Sequence, residues 1–275
     1  MRKLFGESRS DNDEADDVID YYDMSLTTDP RRYLKPAIVA AEVLITISVI
    51  VCMFLAYHFI LVPAQSRQAQ ASALGDLRSD WSGNMPDVPA DPTDAMPGDA
   101  LGIVSAPDMS SDEYAFFKGT DQDTLAKGPG LYDGSDPLGN FGNAALAAHR
   151  DGWNAPFSDV DKLKQCSDIT IETRDKVLTY KVLSSSDDAK ERRKQNADCV
   201  GDKAAAALDS DSYRDVKGQE VVDPNSHGVT WSVPMVSDEP NDATVSLITF
   251  TTCHPHMSNA QRYIVHAVLY EDKDK

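Results

Sequence analysis

"SLITFTTCHPHMSNAQRYIVHAVLY", residues 246–270, holds two apolar runs joined by a short polar loop. The first run ends on Cys253 and the second opens on Arg262. Residues 244–253 alternate, with Ser246, Ile248, Phe250 and Thr252 on one face. Val245, Leu247, Thr249, Thr251 and Cys253 fall on the other. Residues 262–270 are equally strand-like, and the loop "HPHMSNAQ" carries Pro255, Ser258 and Asn259. Paired as an antiparallel hairpin, these strands make Cys253 and Arg262 cross-strand neighbours. A guanidinium beside a thiol favours the thiolate and offers donors to a developing oxyanion.

Working outward, the same texture continues upstream to about residue 99. Short β-branched and aromatic runs recur at 101–106, 113–117, 144–149, 168–173, 177–183 and 229–236. With the two final runs, these predict about eight short strands with little helix between them, a β-barrel or sandwich. Residues 157–163 predict one short helix. Residues 187–215 are charged, alanine-rich and helix-prone, and read as an insertion between strands.

The N-terminal third is different. Residues 1–36 are polar and acidic and predict a disordered cytoplasmic tail, in which Tyr21 and Tyr22 read as solvated positions. Residues 37–62 form the longest apolar run, interrupted only by Glu42 and His58. As a helix this run rises about 39 Å, enough to cross a hydrocarbon core of about 30 Å with tilt. It is too long and too far from Met1 for a cleaved signal peptide, so an uncleaved anchor is expected. Arg31, Arg32 and Lys35 precede it, which puts the N-terminus in the cytoplasm and the rest outside. Residues 63–98 are rich in Pro, Asp, Ser and Gly and predict an extracytoplasmic spacer, into whose first part the helix can continue. Residues 99–275 then form the folded domain. Acidic residues outnumber basic ones 45 to 26, for a net charge of −19, which argues against nucleic-acid binding.

Of the six histidines, His58 lies in the apolar run and His227 in a turn. His254 and His256 adjoin Cys253, and His266 sits mid-strand in a structural position. His149 ends the small-residue run "AALAAH" and precedes the turn "DGWNAPF", a place on the rim of a β scaffold. It is the candidate base.

Three motifs in order carry a family resemblance. "TFTTC" (249–253) with Arg262 nine residues later resembles the sortase signature T-L-x-T-C followed by arginine. "GNAALAAHR" (142–150) resembles the sortase segment that carries the catalytic histidine. "DTLAKGPGLYDGSDPLGNFGN" (123–143), "CHP" (253–255), "VVDP" (221–224) and "WSVP" (231–234) are similar to class E sortases of actinobacteria. Phe250 stands where the motif usually has Leu, and Ala148 where class E members usually have Gly.

The resemblance implies a mainly β fold, a sortase-type eight-stranded barrel with short helices, preceded by one transmembrane helix. It implies a cysteine transpeptidase with Cys253 as nucleophile, His149 as general acid and base, and Arg262 as oxyanion stabiliser. Its substrate would be a secreted protein with an L-A-x-T-G or L-P-x-T-G sorting signal near its C-terminus. The acceptor would be the amine of a lipid-linked peptidoglycan precursor, or a pilin amine if the enzyme polymerises pili. Tyr132, Thr251 and Thr252 are the expected substrate-binding residues, with Tyr132 tied to Ala at the second signal position. No metal or organic cofactor is implied. The absence of an apolar run after residue 270 favours housekeeping anchoring over pilus building.

Rival readings use the same residues. "CHPH" (253–256) offers three potential metal ligands, although zinc sites more often use spaced pairs. A non-catalytic surface binding module and a plain cysteine hydrolase are the others. Cys52 lies in the span, which leaves Cys166, Cys199 and Cys253 in an oxidising compartment. With Cys253 set aside, Cys166 and Cys199 are expected to pair and pin the insertion to the barrel, against the alternative of two small buried residues.

Overall fold

The computed structural model describes residues 30–83 and 95–275. Most of the acidic tail, with Tyr21 and Tyr22, and residues 84–94 of the expected spacer lie outside the described residues. The chain divides at Val51 into an N-terminal segment and a compact unit, Cys52–Lys275. Helix α1, Pro30–Ala56, carries the apolar run. The helical stretch Lys35–Trp81 contains a window long and apolar enough to cross a membrane.

Within the compact unit a π-turn at Tyr57–Leu61 leads into helix α2, Val62–Trp81, with Pro63 in its first turn. Pro63 lacks an N–H and crowds the carbonyl four residues back, so the hydrogen-bond ladder widens there. Helix α2 is capped at Ser82 and followed by Gly83, whose positive φ of 80° suits the left-handed region. It buries Val62, Ser66, Gln70, Ala73, Leu77 and Asp80, a stripe at three- and four-residue spacing. Ala73 and Leu77 pack on Ile103, Ala115 and Phe117 of the barrel. Gln70 Nε2 donates to the Ala115 carbonyl at 2.9 Å, and the Ala115 N–H donates to Gln70 Oε1 at 2.8 Å. The expected spacer is therefore a docked helix over its first 19 residues, 63–81. Half of the docking stripe is polar, and Gln70 binds barrel backbone, so hydrophobic periodicity does not show it.

The barrel comprises β1 (Ala100–Ala106), β2 (Ser110–Lys118), β3 (Gly130–Leu131), β4 (Gly142–Ala147), β5 (Asp168–Glu172), β6 (Lys176–Val182), β7 (Gln219–Val222), β8 (Ser246–His254) and β9 (Gln261–Asp274). Strand order is β6-β5-β1-β2-β3-β4-β8-β9-β7, and β6 also pairs with β9. That last pairing closes eight strands into a barrel. Opposite its β8 edge, β9 is long enough to serve two further neighbours, with Arg262, Tyr263, Ile264 and Val265 on β7 and the stretch from Ala267 onward on β6.

Two helices decorate the barrel, α3 (Gln122–Lys127) and α4 (Ala189–Leu208). The insertion is α4, interrupted at Gly201, whose φ of 82° is not helical. Its Leu208 joins Leu183, Tyr213 and Leu247 in a second apolar cluster. A disulfide joins Cys166, just before β5, to Cys199 on α4. Two local readings fail. Residues 229–236 form no ladder strand; a 3-10 turn, His227–Thr230, and a single bridge from Val233 to Ser237 occupy the segment. Pro234 removes a ladder donor there. The short helix expected at 157–163 shrinks to one 3-10 turn, Val160–Lys162.

The main core fills the barrel with Phe116, Leu146, Phe157, Ile171, Tyr180 and Phe250 among others. Phe157 and Phe250 stack with centroids 4.5 Å apart. Every residue of β4, "GNAALA", is buried, which requires small side chains between β3 and β8. One polar chain crosses this region. Asn143 Nδ2 donates to the Val229 and Trp231 carbonyls, so its Oδ1 is left to accept from Thr249 Oγ1 at 2.6 Å. The Thr249 hydroxyl proton is then spent, and His266 Nδ1, 2.7 Å away, must be the donor to it. His266 is fully buried and thus fastens β4, β8 and β9 together.

Candidate active site

β4 and β8 run parallel, with Ala147 opposite Thr251. Two residues beyond this pair, the chains deliver His149 and Cys253 at the same end of the barrel. The Ala148 N–H donates to the Thr251 carbonyl at 3.2 Å, and Thr252 Oγ1 donates to the Ala148 carbonyl at 2.7 Å. The pairing thus persists to the residue before His149. On the other side of β8, the antiparallel ladder with β9 sets Cys253 opposite Arg262. Arg262 Nη1 donates to the Asn259 and Gln261 carbonyls at 3.1 and 3.0 Å. These bonds hold the guanidinium against the backbone of the turn that joins β8 to β9.

His149 and Cys253 line one open cavity of about 890 Å³, which also takes in Trp153, Met257, Val62 and Pro63. Burial holds the His149 imidazole below its ordinary value of 6.5 by disfavouring the cation. Its Nε2 is buried and has no hydrogen-bond partner among the described residues. The Trp153 ring stacks beside it, centroids 6.3 Å apart and 22° from parallel. The intervening loop closes on itself where the Phe157 N–H donates to the His149 carbonyl at 3.2 Å. Within it Trp153, Asn154 and Ala155 have φ of 44°, 64° and 39°. Left-handed non-glycine residues cost roughly 1–3 kcal/mol each and persist only where the surroundings enforce them.

The residues after His149 clamp the loop after Cys253. Arg150 is buried, 4% exposed. Its Nε donates to His256 Nε2 at 3.1 Å, Nη2 to Asp161 at 2.9 Å, and Nη1 lies 2.9 Å from His254 Nδ1. The Tyr263 ring covers its guanidinium at 5.2 Å. Asp151 accepts from His256 Nδ1 at 2.8 Å and from the Met257 N–H at 2.7 Å. His256 therefore fits as a neutral tautomer, with Nδ1–H donating and Nε2 accepting. Burial alone would raise the Asp151 carboxyl, but His256, the Met257 amide and Arg150 together hold it below its ordinary value.

Cys253 and His149 thus share one cavity at one end of the barrel, and Arg262 stands opposite Cys253 in the β8–β9 ladder without lining that cavity. The three residues expected to bind substrate lie behind this cavity. Thr251 and Thr252 are 4% and 3% exposed, and Tyr132 Oη lies 2.9 Å from Thr251 Oγ1. None of the three lines the cavity. The sequence reading missed Arg150, Asp151 and Trp153. Its one available signal was the turn "DGWNAPF", which marks a bend without showing what the bend touches.

Residues 104–270 match the Sortase domain family. The chain belongs to the sortase family. This sortase is 31% identical over 170 residues to sortase SrtE2 of Streptomyces coelicolor, covering 56% of this chain and 65% of that protein. It is 26% identical over 165 residues to sortase SrtE1 of the same organism, covering 56% of this chain and 46% of that one. The chain thus spans about half to two thirds of the length of these relatives. Among solved structures, the SrtF sortase from Corynebacterium diphtheriae superposes with a TM-score of 0.64 at 30% identity, covering 70% of this chain and 94% of that one. The class E resemblance and the closed eight-stranded barrel agree with these relatives.

Proposed function

We propose that this protein is a membrane-anchored cysteine transpeptidase that attaches secreted proteins to the cell wall. The observation that carries the reading is that Cys253 shares one cavity with His149, at the end of the β4–β8 pairing, and stands opposite Arg262 in the β8–β9 ladder. The Cys253 thiolate attacks the Thr carbonyl of an L-A-x-T-G-like or L-P-x-T-G-like sorting signal. Arg262, on the facing strand, stabilises the oxyanion. His149 takes the proton that Cys253 gives up and passes it to the departing Gly amine, and a Thr–Cys253 thioester remains. An incoming amine loses its proton to His149 and attacks the thioester, which releases Cys253 and forms a new amide. No step calls for a metal or an organic cofactor.

The acceptor is the amine of a lipid-linked cell-wall precursor. The basic residues Arg31, Arg32 and Lys35 before the apolar run support a cytoplasmic N-terminus and an extracellular catalytic domain. Tyr132 influences the second signal residue, a reading supported by its hydrogen bond to Thr251, two residues before the nucleophile. Thr252 acts through the Ala148 carbonyl as a positioning residue for His149.

The test is incubation of the full chain in detergent with L-A-x-T-G and L-P-x-T-G peptides and a glycine-based amine, read by mass spectrometry. A Thr–amine conjugate that vanishes in Cys253→Ala is expected. Free acid alone would make the protein a hydrolase. No cleavage of either peptide by folded, reduced protein would reject the assignment.

A further inference from the structure

Helix α2 touches the loop after His149 at two successive residues. The Ser66 hydroxyl donates to the Trp153 carbonyl at 2.9 Å, and Arg67 Nε donates to Asn154 Oδ1 at 3.0 Å. Ser66 is 1% exposed, so its bond is shielded from water. The two acceptors belong to the first two of three consecutive left-handed non-glycine residues, Trp153, Asn154 and Ala155, which follow the left-handed Gly152. Such a run needs outside support, and α2 is the element that supplies it at these positions. The loop in turn carries the ring that stacks on His149. Because His149 Nε2 makes no hydrogen bond among the described residues, ring packing bears much of its orientation.

We propose that Ser66 and Arg67 are positioning residues of the active site, holding the 150–156 loop so that Trp153 keeps His149 in the cavity it shares with Cys253. The helix that follows the membrane-span candidate is then part of the catalytic apparatus as well as a connection to it. Its own docking is secured separately. Gln70 binds the Ala115 backbone and the Lys127 carbonyl, and Asp80 pairs with Arg174. The helix also builds part of the cavity, whose wall includes Val62, Pro63 and Arg67. The role of His149 itself rests on the transpeptidase reading.

The test compares full-length wild type with a Ser66→Ala, Arg67→Ala double variant, both in detergent. Two readouts are taken, peptide transpeptidation kinetics and the NMR titration of ¹³C-labelled His149. The other titratable or charged groups lining its cavity are Tyr57, His58, Arg67, Arg150, Asp151 and Cys253. Loosening the loop lets water reach the imidazole. The His149 titration is expected to move upward toward 6.5. The kcat is expected to fall about tenfold while KM stays within about twofold, because a catalytic group is displaced and the bound substrate is not. Arg78→Ala, which loses only the exposed pair with Glu113 farther along α2, is expected to match wild type in both readouts. An unchanged titration and kcat per folded molecule in the double variant overturns the proposal, even if its melting temperature falls. If wild type turns over no peptide, the transpeptidase reading fails, and the titration still decides whether α2 holds His149.

Discussion

The Thr252 hydroxyl donates a buried 2.7 Å hydrogen bond to the carbonyl of Ala148, the residue before His149. It ties the strand that bears Cys253 to the chain that bears the candidate acid–base group. Thr252→Val keeps the shape and removes the donor, which leaves that carbonyl without this partner. The expected stability loss is about 1–2 kcal/mol. The kcat is expected to fall about tenfold as His149 drifts. Urea unfolding and steady-state kinetics on the same preparations check both.

Arg262 is held opposite Cys253 by its strand and by two loop carbonyls. Arg262→Ala is expected to lower kcat/KM about 10²–10³-fold, the usual cost of removing an oxyanion donor. Arg262→Lys restores the charge but not the planar fork, so it is expected to recover only part of the loss. Peptide cleavage assays across the three proteins check the order.

Arg150 joins the two active-site loops through His254, His256 and Asp161 while stacked on Tyr263. Arg150→Ala is expected to destabilise the domain by about 2–4 kcal/mol, since it empties a buried site and strands several partners. Arg150→Met refills the volume without the hydrogen bonds. It is expected to regain stability but little activity. Thermal melts and turnover rates separate the two effects.

His149 titrates below 6.5 because burial resists its cation. Between that folded value and 6.5 the unfolded chain binds the extra proton, so stability rises with pH across this window. As pH falls below 6.5, wild type is expected to lose stability, and the loss levels off below the folded value. His149→Gln removes the slope. The difference between the two melting-temperature profiles, measured from pH 4 to about 8, isolates this group.

The Cys166–Cys199 disulfide closes a segment of sequence separation 33. Chain-entropy arithmetic gives such a loop about 3–4 kcal/mol of stabilisation. Cys166→Ser with Cys199→Ser is expected to lose stability of that order, and α4 is expected to show the largest rise in hydrogen exchange. Denaturant titration with exchange mass spectrometry checks the size and the place.

Alternation along residues 244–253 and 262–270 was enough to fix a hairpin, and a hairpin of that register sets Cys253 against Arg262. Strand period and turn position are local properties, so they are legible in sequence. His149 was legible as a strand-end residue, and motif order supplied its role. Its closeness to Cys253 comes from the parallel pairing of β4 with β8, strands about a hundred residues apart, which no local pattern encodes. The docking of α2 was hidden for another reason. Ser66, Gln70 and Asp80 face the barrel through hydrogen bonds and an ion pair, so the buried stripe does not look apolar. The Arg150 clamp was hidden because an arginine reads as surface until its partners are known. The sequence by itself determined the apolar helix and the runs that became β1, β2, β4, β5, β6, β8 and β9, because these follow from hydrophobic periodicity, while motif order named Cys253, His149 and Arg262 as the candidate groups. Only the tertiary structure decided which polar side chains are buried and what orients His149, because those depend on contacts between segments far apart in the chain.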